Sequence, residues 1–272
     1  TSSIALLAAF ISTETGTTAA IRTNKSQRIV PALREQITTL SIMSLEIITG
    51  RWLGRLHHRW WEHPRTSAII MEARDFGGHE YFKPADFDDD NPFVTITELS
   101  FPWYLLEYGA ERYEHLVTEI LQPLNPVRIV AEGHDDIVTS MKYGMDGVLN
   151  IPLYMPAEIT QVLPVVMAAD MLPAGYTLYL EQPDAFLSGD AQANLFDFLC
   201  EKAVAGLNIV VTTHSLASLG QVRVNVREGR ISQDDVTLIF EGKRLNIDSD
   251  GHIDDWPDGF MDTYDKQLMK LL

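Results

Sequence analysis

Apolar positions recur along this chain in two spacings, and the spacings predict the elements. Between residues 26 and 50, Ile29, Leu33, Ile37, Leu40, Met43 and Ile47 fall mostly three or four apart, the period of one helix face. Residues 1–11 read as a further helix, with Ser and Thr at the start and an apolar run behind them. SAIIMEA (67–73) and FVTITEL (93–99) read as strands, separated by a Gly/Asp-rich link. A helix is expected over 103–122, ending at Pro123, then a strand at VRIVAEG and a loop or hairpin over 140–155. The segment ITQVLPVVMAADML reads as a helix interrupted by Pro164.

The pattern then sharpens. YTLYL is an unbroken apolar run, a helix follows from about 190 to 205, and NIVVTTHS is a second such run. Strand, helix and strand with short links mark a parallel sheet, whose strands are buried on both faces. From about 221 the chain reads as strands again (VRVNVRE, DVTLIFE, RLNIDSD), with SQDD, EGK and DSDG as turns. The class is α/β with a small α+β appendage.

Charge narrows the partners. The 272 residues carry 38 acidic against 21 basic side chains, a formal net charge of −17. Such a surface repels phosphate backbones at long range, so naked nucleic acid is disfavoured as a direct partner and would be reached through a partner subunit. The basic, aromatic stretch RWLGRLHHRWWEHPR (51–65) is the exception: contact with a phosphate backbone or an acidic partner is one reading, and an amphipathic helix with its tryptophans inward is the preferred one. Asp88–Asp90 lack the alternating ligands of a calcium loop and read as a solvated turn. The one cysteine, Cys200, sits in an apolar helical pattern and reads as a buried thiol in a reducing, cytoplasmic setting. No apolar run reaches the length of a membrane span.

Two strand ends carry the candidate chemistry. The first apolar strand delivers Glu181 to the carboxyl edge of the sheet, and the second ends in Thr213, His214 and Ser215. That edge is where open α/β sheets hold ligands. An acid that holds Mg²⁺ beside a histidine that senses a terminal phosphate suits nucleotide hydrolysis. A capping role at a strand end or helix start is the plain structural alternative for both residues.

These segments in this order resemble the Walker B motif, D-loop and switch histidine of ABC-type ATPases. They are most similar to predicted bacterial ATPases with EQPE-x-H-L-H-P after the Walker B strand. The tail DGHIDDWPDGFMD resembles the Trp-Pro-x-Gly-Phe ending of that group, and AEITQVLPVVMAADMLPAG resembles its signature helix. The resemblance implies a P-loop-NTPase-like mixed sheet flanked by helices, with a core over 1–219 and a small C-terminal domain over 220–272. It implies Glu181 as the Mg²⁺-associated acid, Gln182 at the position of the catalytic glutamate, and His214 as the switch. Thr160 and Gln161 match the signature Ser-Gln, and Asp190 falls in the D-loop. ATP and Mg²⁺ would be the ligands, and a homodimer or a heteromeric complex the working form. Relatives of this kind occur in bacterial systems that defend against phage and foreign DNA.

Three departures follow. No G-x-x-x-x-G-K-[ST] phosphate loop occurs in the chain. The opening TSSIALLAAF is similar to the helix that follows such a loop, which would put Thr1 or Ser2 at the Mg²⁺ hydroxyl position. Pro156 and Glu158 replace the signature glycines, setting a carboxylate where a partner's phosphate would approach. Phe186, Ser188 and Gly189 replace His, His and Pro in the D-loop. The expectation is a degenerate ATPase subunit acting as scaffold or regulator, with weak or absent hydrolysis. An active Mg-ATPase whose phosphate loop lies upstream of Thr1 is the alternative. A metal-dependent hydrolase built on His134, Asp135 and Asp136 is a third reading. It is disfavoured because consecutive strand side chains alternate in direction.

Overall fold

The computed structural model describes residues 6–9, 66–70, 81–82, 105–106, 108–123, 126–134, 137–144, 148–149, 156–241 and 243–272. The expected helix over 26–50, the basic stretch 51–65, the Asp88–Asp90 run and the FVTITEL strand lie outside these residues.

A six-stranded sheet forms the centre. Its strands are β1 (Leu6–Ala9), β2 (Thr66–Ile70), β6 (Thr177–Glu181), β7 (Asn208–Thr212), β8 (Val236–Phe240) and β9 (Lys243–Leu245). They lie in the order β2-β6-β7-β1-β8-β9. The first five run parallel, and β9 returns antiparallel to β8. Leu178 and Leu180 of β6 are buried, as are their neighbours Ile209 and Val211 of β7. This is the burial that an apolar run bounded by turns predicts for a parallel strand.

A second, three-stranded antiparallel sheet orders β3 (Tyr81–Phe82), β5 (Ile137–Gly144) and β4 (Arg128–His134) as β3-β5-β4. β4 and β5 pair along their length as a hairpin, so the chain turns back ahead of the 140–155 segment where a loop or hairpin was expected, and 140–144 are strand.

Helices pack one on another beside the central sheet. They are α1 (Glu111–Leu121), α2 (Ala157–Met171), α3 (Gly189–Val204) and α4 (Leu216–Arg227), while α5 (Thr263–Leu271) follows the sheet with most of its residues exposed. From β6 to β7 and from β7 to β8 the chain crosses the sheet in one direction. Right-handed crossovers then put α3 and α4 on the same face, and the two helices do pack together. Ser188 starts α3 and Ser215 starts α4, each hydroxyl accepting an amide N–H of its first turn. Almost every residue of α2 from Ile159 to Ala169 is buried, so it has no polar face. Pro164 does not interrupt it, because burial on all sides outweighs the one hydrogen bond the proline removes. Asp170, near the end of α2, receives two bonds from Arg112 of α1 and one from Lys202 of α3, at 2.6–2.8 Å. Glu114 and Thr118 of α1 accept the backbone N–H groups of Ile129 and Val127, docking the helix on β4.

Three expectations need correction. Residues 6–9 of the supposed N-terminal helix are strand β1, hydrogen-bonded on both sides by β7 and β8. Leu-Leu-Ala-Ala favours helix locally, but a short apolar run takes the state that its neighbours complete. VRVNVRE is not a strand but the end of α4. Val222 and Val226 are buried with Leu219 at helical spacing, while the alternating Val224 is 41% exposed. The boundary expected at 219/220 runs through α4, and β8 beyond it belongs to the central sheet.

The tail docks on α4. Trp256 Nε1 donates to the Phe260 carbonyl at 2.6 Å, and Asp262 accepts the Gly259 N–H at 2.8 Å. Phe260 stacks against Trp256 and Phe240, with ring centroids 5.0 and 4.8 Å away. The Trp-Pro-Asp-Gly-Phe sequence is therefore a self-closed turn. Arg223 of α4 holds it by donating to the Gly251 carbonyl at 2.7 Å and lying over the Trp256 ring at 5.5 Å.

Candidate functional site

Parallel pairing brings the carboxyl ends of the middle strands into register. Glu181 of β6 lies opposite Thr212 of β7, and Thr212 lies opposite Ala9 of β1. From β7 the chain moves on past β1 to β8, whereas from β1 it goes back to β2, at the far edge. The gap between β7 and β1 is therefore a topological switch point, the place where open α/β sheets leave a crevice for ligands. Glu181, half-buried, ends β6 beside it, and His214, exposed, follows β7 by two residues.

Gln182 turns the chain sharply. It adopts a left-handed backbone (φ 43°), unusual for a residue with a side chain. Its N–H is held by the carbonyl and hydroxyl of Thr212, at 3.0 and 3.1 Å. Its carbonyl accepts from the Gln161 side-chain amide at 2.7 Å. Gln161 is buried, so the start of α2 is tied to the end of β6 inside one chain. Thr160 turns its hydroxyl back onto the Ala157 carbonyl at 2.8 Å, and Asp190 is exposed in the first turn of α3. Thr1 and Ser2 lie outside the described residues. The helix that would have put them at a Mg²⁺ position is replaced, at residues 6–9, by β1, whose amino end is at the opposite edge from Glu181.

The hub of this edge is a residue that sequence reasoning passed over. Asp184 is 4% exposed, and its carboxylate accepts the hydroxyls of both Thr213 and Ser218. Its backbone carbonyl accepts from Gln192 Nε2 at 3.3 Å and from the Leu187 N–H at 3.3 Å. Ser215 closes the loop: its N–H bonds the Thr213 hydroxyl at 2.9 Å and its own hydroxyl bonds Gln192 Oε1. Burial pushes the Asp184 carboxyl above the usual carboxylate range; Ser218 and Thr213 pull it back in part, and His214 adds a smaller pull. Among the described residues no lysine or arginine pairs with it. The sequence signal was slight: an acid three residues past one strand end, and hydroxyls at 213 and 218 after the next.

Other acidic groups are less pointed. His134 ends β4 and Ile137 begins β5, leaving a two-residue link, while Asp135 and Asp136 lie outside the described residues. Asp248, Asp250 and His252 have ligand atoms close together in the DSDG turn. Asp248 accepts the Asp250 and His252 N–H groups at 2.9 and 2.8 Å, and the His252 bond foremost lowers its pKa. That is an Asx turn satisfied by its own backbone.

Residues 232–271 match the model of DUF3696, a family described as proteins of unknown function. No curated protein matches the chain. Among solved structures it is similar to an SMC head bound to the C-winged helix domain of ScpA. That likeness has 12% identity and a TM-score of 0.35, over 41% of this chain and 36% of the other. It is also similar to an SMC head domain with an extended coiled coil, bound to the C-terminal domain of ScpA from Pyrococcus furiosus. There the identity is 16% and the TM-score 0.33, over 43% of this chain and 31% of the other. The chain thus spans about a third of each of these structures. No helix among the described residues is long and apolar enough to cross a membrane.

Proposed function

We propose that this chain is a degenerate ABC-like ATPase subunit, a scaffold or regulatory partner in a larger assembly that binds MgATP weakly and hydrolyses it slowly or not at all. The observation that carries the reading is the register of Glu181 and Thr212 at the carboxyl edge, beside the switch point between β7 and β1. In a working site Glu181 would associate with Mg²⁺, Gln182 would orient water and His214 would meet the terminal phosphate. Half-buried Glu181 and exposed His214 fit a metal–phosphate group in the chemistry of their donors.

The degeneracy follows from what leaves β1. A phosphate loop follows a strand with backbone amides and a lysine. Here the sequence after Ala9 is FISTETGTT, where Gly16 is followed by Thr17 rather than lysine. A hydrogen bond to a charged group is worth about 1.5–3 kcal/mol. Losing two of them takes a micromolar site to roughly the millimolar range. Glu158, exposed in the first turn of α2, sets a further negative charge at a helix start that would otherwise favour an anion.

The alternative, an active ATPase whose phosphate loop precedes Thr1, meets a topological obstacle. β1 already fills the place beside β7 and is paired on its other side by β8. A strand from upstream would have to join at a sheet edge, away from Glu181 and His214. Phosphate release from MgATP by the full chain tests the two readings. The proposal expects a rate at or little above the uncatalysed background, whereas brisk steady turnover lost in Glu181→Gln and His214→Ala supports the active enzyme.

A further inference from the structure

The Asp184 carboxylate is buried, bonded only to neutral donors, and joins the turn after β6 directly to the segment after β7, which the Gln192–Ser215 bond also links. Thr213 belongs to the segment that carries His214, and Ser218 to the first turn of α4. Asp184 itself sits in the turn between Glu181 and α3, where Gln182 and Phe186 are both left-handed and Phe186 is 67% exposed. A bulky exposed residue in that conformation persists only when its surroundings impose it. Here Ala185 N–H bonds the Gln182 carbonyl, Leu187 N–H bonds the Asp184 carbonyl, and Gln192 spans the Asp184 and Leu187 carbonyls.

We infer that Asp184 is the positioning residue of this edge: pinned by Thr213 and Ser218, it fixes the His214 loop against the end of β6, and it does so as a carboxylate. The inference rests on reading the carboxyl edge as a ligand site, and it deepens that reading by naming what holds the site's imidazole in place. A neutral acceptor of the same shape would satisfy both hydroxyls without desolvating a charge. A carboxylate in that position lowers stability in exchange for a fixed negative group near His214, the pattern of sites where charge has a use. The titratable group that faces Asp184 is His214, from the loop after β7; the groups on α3 and α4 that touch it, Gln192 and Ser218, do not titrate.

The sign is set by burial. Because the folded carboxyl titrates above its ordinary value, the penalty is absent well below the usual carboxylate range. It develops as pH rises through the raised folded pKa. Urea unfolding of the full chain between about pH 4 and 8 tests this, with Asp184→Asn beside the wild type. The variant is expected to be at least as stable as wild type near neutrality, with the advantage shrinking toward acid. A difference that does not change with pH would overturn the inference that the group acts as a carboxylate.

Amide hydrogen exchange supplies the second readout. Asp184→Ala is expected to speed exchange at residues 213–218 and 185–187 about tenfold or more, with α1 unchanged. Should that variant fail to fold, Thr213→Val removes one pin and is expected to act on the same amides. Unchanged exchange at 213–218, or a uniform rise along the chain, would overturn the positioning role. Neither measurement uses a nucleotide, so a failure here and a failure of the ATPase reading are separate results.

Discussion

The side-chain amide of Gln161 donates a 2.7 Å hydrogen bond to the backbone carbonyl of Gln182, joining the N-terminal part of α2 to the residue that follows β6. Gln161 is thereby committed within one chain, to the residue next to Glu181. The bond is part-buried and spans two elements whose relative placement decides where Glu181 is presented.

Gln161→Leu keeps the volume and removes the donor. The part-buried Gln182 carbonyl keeps its bond from the Ala185 N–H, so the loss is the net worth of one hydrogen bond, about 0.5–1.5 kcal/mol, and denaturant unfolding is expected to show it. A stability within about 0.3 kcal/mol of wild type would mean that the bond has no structural weight.

Asp170 collects two cations from different helices, Arg112 and Lys202, and its own side chain is only 4% exposed. Asp170→Ala leaves the cations behind, but Arg112 is mostly exposed and regains water. The expected loss is therefore about 2 kcal/mol, below the full penalty of a broken buried pair. Salt should change it little, because the carboxylate is inside.

Cys200 is 2% exposed, and burial pushes its thiol up to about 12. At pH 8 the folded protein is expected to react with a disulfide reagent at least about a hundredfold more slowly than an unfolded control. Reaction at the unfolded rate would place Cys200 at the surface.

Gly251 is left-handed (φ 76°), and a Cβ there would collide with the Arg223 carbonyl. Gly251→Ala and Arg223→Ala are both expected to loosen the tail from α4. The sign would be faster proteolysis between residues 246 and 262 and a red-shifted tryptophan emission, with the central sheet still folded. Gly251→Ala is expected to cost more than 1 kcal/mol, since strain and collision add.

Much of this architecture is legible in the sequence where burial and local preference agree. β6 and β7 are apolar on both faces and bounded by turns, and α3 carries a serine cap followed by helical spacing. Reading fails where one pattern serves two structures. Leu6–Ala9 suits a helix by propensity and a central strand by neighbourhood, and only the pairing with β7 and β8 decides. Val222, Val224 and Val226 alternate like a strand, yet Leu219, Val222 and Val226 also form a helix face. Glu181 and His214 could be placed at the edge because each ends or follows an apolar run. Asp184 could not, because its partners Thr213 and Ser218 are about thirty residues away and the contact exists only once β6 and β7 are paired.

Calorimetric titration of MgATP into the full chain, to about 1 mM ligand, addresses the central claim most directly. A degenerate cradle predicts little or no saturable heat below that concentration. Micromolar binding would contradict it, and would require a phosphate-binding element that the sequence after β1 does not supply.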